Sequence, residues 1–331
     1  MFSRFKNFIS RHLAALGYVC RVILPEIFKH GRRPVVFERL AGIGDIICSI
    51  PAARMLKERH PGARFIYNCH PDLVVIPKLF GIADRVTACP AMGLVSHWYG
   101  FLLAGKYEFI HGEPFTVRTT VRDYCDQYQL PPQDEHPHLE LPDDLRERAR
   151  KILLEKGIDP GSFITIHPGP TGPVREWPRD RWCRLVTQLQ AAGQRQIVQL
   201  GVGHYYDRGV VVMEPIPGAV SLLDALSLEE SVAVIALAKV HIGVDSGLLH
   251  VAAAVGTPGI GIFGNTLPEY RFSEAYRRTF VVSQIYCRGC AHYLAATPFI
   301  NDCPEHIRCM KEIQPETVLR ACLDVLQLPA K

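Results

Sequence analysis

Hydrophobic positions along the chain change between two spacings, which predicts strands separated by helices. Short runs of β-branched and aromatic residues are typical of buried strands, whereas the longer segments between them have helical spacing. The predicted strands are Val35–Phe37, Arg64–Tyr67, Val86–Thr87, Glu108–Ile110, Phe163–Ile166, Gln196–Leu200, Val240–Val244 and Gly259–Phe263. The clearest helix is predicted over Asp45–Arg59. This alternation favours parallel sheets with crossover helices.

A polar, proline-rich stretch interrupts the alternation at residues 130–144 and predicts a domain boundary. The alternation restarts after it. We therefore predict an α/β chain with two Rossmann-like domains, 34–145 and 146–331, that face a cleft. Ligands of such sheets bind outside the carboxyl ends of the strands, so the loops that follow the strands are the candidate sites.

The first 33 residues predict a basic amphipathic arm. Seven Lys and Arg residues stand there against Glu26 alone. Apolar residues recur in steps of three and four until Pro25 interrupts the pattern. That stripe consists of Phe2, Phe5, Ile9, Leu13, Leu16, Cys20 and Ile23. Such a helix lies in the interface of an anionic membrane or packs on the protein's own body, and the sequence leaves both alternatives open.

Charge and cysteine content narrow the class of protein. The whole chain has 37 Lys and Arg and 33 Asp and Glu residues, so the chain beyond the arm is close to balance and is not a basic nucleic-acid surface. Eleven cysteines, an odd number, without an export signal favour the reducing cytoplasm. No apolar run approaches the roughly 20 residues that span a bilayer.

A glycine loop, Gly42-Ile43-Gly44-Asp45, follows the first predicted strand. It is not a dinucleotide fingerprint, because Ile47 occupies the position of the third glycine. Asp45 is either an acid that faces the cleft or a simple helix N-cap.

Two further loops have residues suited to phosphate. Arg175 lies in a glycine- and proline-rich loop and offers a planar fork for phosphate oxygens, although the loop is also explained by packing of Trp177. Ser246 and Gly247 open a predicted helix, whose amides and positive dipole end favour a diphosphate. The alternative there is a capping Asp245 with His250 in the core.

Four cysteines near the C-terminus, Cys287, Cys290, Cys303 and Cys309, have the spacing C-x2-C-x12-C-x5-C. Four thiolates so spaced are able to hold a structural zinc or iron ion tetrahedrally. Ordinary buried thiols and a redox role are the alternatives.

These motifs together resemble glycosyltransferase family nine, the heptosyltransferases of lipopolysaccharide assembly, over roughly residues 34–326. The segments that carry the resemblance are Gly44–Ala52, His167–Gly169, Arg175–Pro178, Asp245–Ala254, Gly256–Pro258 and Phe263–Gly264. The Asp-Ser-Gly-x-x-His string at 245–250 is the most specific of them.

The resemblance implies a GT-B fold and an inverting transfer that needs no cofactor for catalysis. The favoured donor is ADP-heptose and the favoured acceptor the lipopolysaccharide core, at the cytoplasmic face of the inner membrane, where the protein is peripheral. Residues 1–33 are then the contact with the anionic membrane surface. A protein O-heptosyltransferase and a non-catalytic sugar-nucleotide-binding scaffold are the alternatives. The cysteine-rich tail is similar to one in protein-modifying heptosyltransferases that hold iron.

The resemblance also implies roles for single residues. Asp45 matches the general base, and Gly42 and Gly44 belong to its acceptor-side loop. The implied donor-binding residues are Thr171, Arg175, Asp245, Ser246, Gly247 and His250. Relatives commonly have lysine where Arg175 stands, and a ribose-binding glutamate where this chain has the loop 203–207.

Overall fold

The structure, a computed structural model, describes residues 2–32, 34–40, 42–88, 102–104, 119–169, 173–205, 211–293 and 303–327. The chain forms two compact units. Unit 1 contains Met1–Glu108 and Thr120–Gln133, and unit 2 contains Phe109–Thr119 and Asp134–Lys331. The division after residue 133 falls inside the proline-rich stretch, and the domain limits predicted from sequence remain a prediction. The predicted strand Glu108–Ile110 and the predicted ligand Thr171 lie outside the described residues.

Unit 1 is built on a parallel sheet with the strand order β3-β2-β1-β4. The strands are β1 (Val35–Glu38), β2 (Phe65–Asn68), β3 (Arg85–Thr87) and β4 (Leu102–Ala104). Its helices are α1 (Phe2–Tyr18), α2 (Leu24–His30), α3 (Ile43–Arg59), α4 (Val75–Leu79) and α5 (Thr120–Gln127). Val35 pairs with Phe65 and Glu38 with Asn68, so the carboxyl ends of β1 and β2 meet at one edge of the sheet. The side chains of Ile46, Ile47 and Ile50 on α3 are buried in the core.

The N-terminal arm packs on unit 1, and of the predicted stripe Ile23 alone is buried among the described side chains. A π-helical turn, Val19–Ile23, joins α1 to α2, and Pro25 lies in the first turn of α2 instead of ending the helix. The arm residues buried against Val36 and Ile66 are Ala15, Tyr18, Val19, Val22 and Ile23. Ile9, Leu13 and Leu16 of the predicted stripe are 42%, 63% and 50% exposed. The arm therefore has two apolar faces. The predicted stripe is exposed along α1 and becomes buried at Ile23, where the π turn departs from the uniform helical period.

Unit 2 is built on a six-stranded parallel sheet with the order β12-β11-β10-β5-β6-β9. Its strands are β5 (Ile164–His167), β6 (Ile197–Gln199), β9 (Val220–Ser221), β10 (Val240–Val244), β11 (Gly259–Phe263) and β12 (Val281–Val282), and β7 (His204–Tyr205) and β8 (Val211–Val212) form a separate antiparallel pair. Its helices are α6 (Asp143–Glu155), α7 (Arg179–Ala191), α8 (Leu228–Leu237), α9 (Gly247–Val255), α10 (Glu274–Arg277), α11 (Cys290–Tyr293), α12 (Arg308–Glu312) and α13 (Pro315–Gln327).

The central strands β5, β10 and β11 place three loops at one edge of the unit 2 sheet. Val240 pairs with Ile164 and His241 with Gly259, so the loops after His167, Val244 and Phe263 lie side by side. β10 and β11 are buried over their whole length, as expected of parallel strands covered on both faces. This edge is where a ligand of such a sheet binds. No helix in the described ranges has both the length and the apolar character needed to cross a bilayer.

Candidate functional site

Asp45 lies at the start of α3, directly after β1. Gly42 is the N-cap residue, with φ +81°, and no side chain caps the helix. Asp45 is therefore in the first turn, and the N-cap interpretation is wrong. A Cβ atom at Gly42 would lie 2.5 Å from Oδ2 of Asp45, so this turn needs glycine for space as well as for its left-handed backbone. Gly44 is buried within the same turn.

Arg39 holds the Asp45 carboxylate. The Arg39 Nη2 atom donates to Oδ2 of Asp45 at 2.7 Å, and the two side chains are 18% and 28% exposed. Burial disfavours the charged guanidinium, but Asp45 and the hydroxyls of Tyr124 and Tyr67 outweigh it and raise the pKa of Arg39 above its ordinary value. The acid is thus fixed in a solvent-accessible turn. An accessible, oriented carboxylate is the arrangement that a general base requires.

A polar chain runs from the arm to the residue before Arg39. The Tyr18 hydroxyl lies 3.0 Å from Oγ1 of Thr87, Thr87 Oγ1 donates to Oδ1 of Asn68 at 3.0 Å, and Asn68 Nδ2 donates to Oε2 of Glu38 at 2.8 Å. Burial raises the pKa of Glu38 to about 6, although the Asn68 bond lowers it in part. Glu38 therefore titrates in a range where an ordinary glutamate is already ionised.

The raised pKa makes the stability of unit 1 depend on pH. Between the ordinary value of 4.5 and about 6 the folded chain binds more protons at Glu38 than the unfolded chain, so stability falls as pH rises through this window. We expect Glu38→Gln to be about as stable as wild type at pH 4.5. At pH 7.5 it should be more stable by about 1 kcal/mol, allowing for solvent screening. Urea unfolding at the two pH values measures this, with the exposed Glu58→Gln as control; a variant with the wild-type pH dependence would contradict it.

Asp245 is the centre of the candidate site in unit 2. It follows β10 and is 4% exposed. Arg175 Nη1 lies 3.6 Å from Oδ2 of Asp245 and donates to the Asp245 carbonyl at 3.4 Å. Burial raises the pKa of Asp245, but Arg175 and Arg271 outweigh burial and hold that pKa well below its usual range. Asp245 is therefore ionised, and the N-cap of α9 is Ser246.

The start of α9 is held by a histidine from the neighbouring strand. His167, the last residue of β5, has its Nδ1 atom 2.9 Å from the Ser246 hydroxyl. Burial lowers the pKa of His167 to about 4, so the ring is neutral near pH 7. Ser246 has no side-chain bond to the backbone of its own helix. The N-terminus of α9, formed by Ser246 and Gly247, thus lies next to the Arg175–Asp245 pair, as the sequence predicts.

The Arg175 loop is fixed by its tryptophan. Trp177 is 2% exposed, contacts the edge of Trp182 with ring centroids 5.0 Å apart, and donates from Nε1 to the Ile313 carbonyl at 3.1 Å. The two interpretations of this loop are therefore compatible: Trp177 anchors the loop, and Arg175 extends from it to Asp245.

His250 lies one helical turn beyond Ser246 and packs in an aromatic cluster. Its Nδ1 atom is 2.8 Å from Nε2 of His136, and its ring is 4.4 Å from that of Phe272. Burial lowers the pKa of His136 to about 3 and that of His250 well below its ordinary value. Both rings are therefore neutral. His136 comes from the proline-rich stretch that the sequence identifies only as a boundary loop, and a lone His-Pro-His string gives no signal for this role.

Arg271 is the functional candidate that sequence reasoning missed. It follows a short 3-10 turn, Pro268–Tyr270, after β11. Its Nε atom lies 3.7 Å from Oδ2 of Asp245, and the side chain is 10% exposed. The only sequence signal is a basic residue eight positions after the end of a buried strand. Charged residues are rarely buried without a partner, so its burial on Asp245 becomes visible only in the structure.

Two of the segments that contain the C-terminal cysteines meet at Gly264, where a Cβ atom would lie 2.8 Å from Sγ of Cys309. Burial raises the pKa of Cys309 to about 12, and Cys290, Cys303 and Cys287 add to the rise. Burial likewise raises the pKa of Cys290, with Cys287 and Cys303 as further causes. Gly289 N donates to the Gly264 carbonyl at 2.9 Å, so the first cysteine pair is tied to the end of β11. No three of the four sulfur atoms, all in the described ranges, lie within 4.8 Å of one another. The four-thiol metal site therefore stays a prediction.

The comparison with protein families identifies this combination of loops. The family model described as glycosyltransferase family 9 (heptosyltransferase) matches residues 114–298, more than half of the chain. The chain belongs to glycosyltransferase family 9. The matched part contains the Arg175 loop, the Asp245–Gly247 turn, Arg271 and the first cysteine pair.

Sequence alignments with two individual relatives extend over a smaller part of this chain than the family model does. Lipopolysaccharide heptosyltransferase 1 of Escherichia coli K12 is 31% identical over 120 residues, which are 36% of this chain and 37% of the relative. Lipooligosaccharide heptosyltransferase 2 of Haemophilus influenzae is 31% identical over 130 residues, 38% of this chain and 36% of the relative. The chain thus matches little more than a third of the length of these curated relatives.

Solved structures share the fold of this chain over most of its length. The iron-containing heptosyltransferase TibC of enterotoxigenic E. coli, in complex with ADP-D-beta-D-heptose, has a TM-score of 0.68 at 19% identity, over 89% of this chain and 77% of TibC. E. coli ADP-heptose lps heptosyltransferase II has a TM-score of 0.64 at 17% identity, over 88% of this chain and 97% of that enzyme. At such identities the likeness shows the fold, and it confirms the predicted GT-B class.

Proposed function

We propose that this family 9 chain transfers a heptose from ADP-heptose to the lipopolysaccharide core, with inversion at the anomeric carbon. The observation that carries the proposal is the group in unit 2, where Arg175, ionised Asp245 and the N-terminus of α9 come together at the carboxyl edge of the sheet. Guanidinium groups and helix N-termini are the groups that proteins use to bind phosphates. The names of the relatives, heptosyltransferases of lipopolysaccharide or lipooligosaccharide, support the choice of sugar and acceptor.

In the proposed reaction Asp45 takes the proton of the acceptor hydroxyl while that oxygen attacks the anomeric carbon. The bond from this carbon to the diphosphate breaks on the opposite side, and ADP leaves with the bonding electrons. Arg175 and the amides of Ser246 and Gly247 stabilise the negative charge that builds up on the diphosphate. These positive groups take the place of a divalent ion, so we expect turnover to continue in the presence of a chelator.

The direct test is release of nucleoside diphosphate by the full-length protein from a panel of nucleotide sugars, with and without a heptose-deficient lipopolysaccharide acceptor. Acceptor-dependent release of ADP from ADP-heptose alone supports the proposal. Release from another donor would overturn the choice of sugar. Binding of ADP-heptose without release on any acceptor would favour the non-catalytic scaffold.

We further propose that the exposed face of the arm contacts the anionic cytoplasmic leaflet, where a glycolipid acceptor is anchored. Three observations support this: the seven basic residues of 1–33, a second arm face that packs on β1 and β2, and exposed apolar side chains opposite it. The exposed apolar residues are Ile9, Leu13, Leu16, Leu24 and Phe28. Apolar insertion and attraction to anionic lipid act together in such helices.

Leu13→Glu should weaken membrane binding without affecting the fold. Leu13 is 63% exposed, so the change adds a negative charge and removes an inserting side chain at little cost to the core. We expect at least a tenfold lower partition onto vesicles that contain anionic phospholipid, measured by flotation. Leu154→Glu is the matched control, because Leu154 is also 63% exposed but lies on α6 of unit 2. Equal flotation of both variants and wild type would remove the proposal. Deletion of 1–33 is a poorer test, since it would uncover Val36 and Ile66.

The four thiols support a structural metal. Their spacing is one that holds a zinc or iron ion, and Gly264 connects the two halves of the set: its carbonyl accepts from the Gly289 amide at 2.9 Å, and a Cβ atom built on it would lie 2.8 Å from Sγ of Cys309. Cys287, Cys290, Cys303 and Cys309 would be the ligands, and the ion would fix the segment 287–309 on unit 2. The left-handed backbone of His306 and Ile307, φ 47° and 53°, lies between the last two ligands and is the kind of strain that ligation offsets.

Protein purified without chelator is expected to contain about one zinc or iron ion per chain by elemental analysis. Cys290→Ser should lose the metal and lower the melting temperature, whereas Cys322→Ser, at a buried thiol of α13 outside the group, should keep the metal. Less than about a tenth of an equivalent in the wild type contradicts the metal site.

A protein acceptor is the second candidate. The feature that favours it is the set of four cysteines, because TibC, a solved structure of similar fold, is described as iron-containing. A radiolabelled donor incubated with a cell extract distinguishes the two: label in the lipid fraction supports the first acceptor, and label in protein supports the second.

A further inference from the structure

Two arginines reach the same carboxylate oxygen at the end of β10. Arg175 Nη1 lies 3.6 Å and Arg271 Nε 3.7 Å from Oδ2 of Asp245. They come from different loops, one after β5 and one after β11, on either side of β10 in the sheet. One carboxylate is thus shared by two guanidinium groups. The positive N-terminus of α9 begins two residues later.

The position of Arg271 is fixed by its neighbours. The Arg271 and Phe272 amides donate to the Pro268 carbonyl at 2.9 and 2.8 Å, which closes the 3-10 turn. Phe272 is fully buried and stacks on His136 and His250, at 4.8 and 4.4 Å. An arginine on so rigid a turn loses little conformational entropy when it binds a ligand.

The cysteine segment supports the same turn from the other side. The Leu267 amide donates to Nε2 of His292 at 2.9 Å, and the His292 ring stacks on Tyr270 with centroids 4.3 Å apart. The Ala291 amide donates to the Asn265 carbonyl at 2.9 Å. These contacts fix the turn that precedes Arg271.

We propose that Arg271 is a second diphosphate-binding residue, opposite Arg175, and that Asp245 holds both guanidinium groups in place when no ligand is bound. This inference rests on the proposed function. A guanidinium from each side of the α9 N-terminus lets two phosphate groups be bound at once, in the bidentate manner for which arginine is suited. Asp245 is then chiefly the positioning residue of this pair.

The test is binding of ADP and of AMP to the full-length protein by calorimetry. We expect Arg271→Gln to weaken ADP binding by roughly 10- to 100-fold and AMP binding by less, because AMP lacks the second phosphate. Arg278→Gln is the matched control, since Arg278 is exposed on the same segment and the charge change is identical. The control should bind ADP like wild type.

If Arg271→Gln does not fold, a second variant, Arg271→Lys, still tests the inference. Arg271→Lys keeps the charge next to Asp245 but lacks the planar fork, and we expect about five- to tenfold weaker binding of ADP. Folded Arg271 variants that bind ADP within twofold of wild type overturn the inference and leave the proposed function standing. A folded wild type that binds neither ADP nor another nucleoside diphosphate overturns both.

Discussion

Asp45→Asn is expected to lower the rate of sugar transfer by about 10²- to 10⁴-fold while ADP binding stays unchanged. The amide keeps the shape of the side chain and its place beside Arg39, but it does not accept the proton of the acceptor hydroxyl. The measurement is single-turnover transfer with saturating ADP-heptose, together with calorimetric binding of ADP. Asp72→Asn serves as control, because Asp72 belongs to the same unit with its side chain 84% exposed.

Two results would contradict the role of Asp45 in different ways. A variant that transfers sugar within threefold of the wild-type rate would show that the proton goes elsewhere. A variant that loses ADP binding as strongly as turnover would show a binding role instead. The matched shape of asparagine is important here, since a smaller residue would also release Arg39 from its 2.7 Å contact.

The sequence predicts those parts of the site that follow from a local strand–loop–helix pattern. Each predicted loop lies between a buried apolar run and a helix, and parallel strands bring such loops to one edge of the sheet. Arg175, Asp245, Ser246 and Gly247 therefore come together as predicted. The glycine at position 42 is consistent with its predicted loop, because the turn from β1 into α3 has φ +81° there, which favours glycine.

Other features depend on packing that no local pattern encodes. The sequence predicts one apolar stripe for the arm, but Leu13 and Leu16 of that stripe are exposed on α1, whereas Ile23 is buried at the end of the π turn Val19–Ile23. Helical periodicity assumes 3.6 residues per turn and fails where the helix does not keep it. Arg271 and His136 are missed for another reason: each is identified by a partner more than 20 positions away along the chain, Asp245 and His250.

Asp245→Asn is expected to destabilise unit 2 strongly in buffer without anions, and to do so without abolishing ADP binding. Asp245 is 5% exposed at its side chain and contacts both Arg175 and Arg271, so the change leaves two guanidinium groups without the carboxylate they share. Removal of one member of a buried ion pair costs about 3–5 kcal/mol. For a unit of this size that corresponds to a melting temperature roughly 10 °C lower.

The same variant should regain stability when an anion takes the place of the lost carboxylate. We expect ADP or pyrophosphate to raise the melting temperature of Asp245→Asn by more than that of wild type, because the ligand does not have to displace Asp245 from the arginines. Asp180→Asn is the control, since Asp180 is 69% exposed and its contact with Arg181 is 3.9 Å. If Asp245→Asn melts like wild type, or if anions protect it less, then Asp245 binds the donor directly and does not act as the counter-ion. The two arginine contacts at one oxygen favour the counter-ion, because a carboxylate facing a diphosphate directly would repel it.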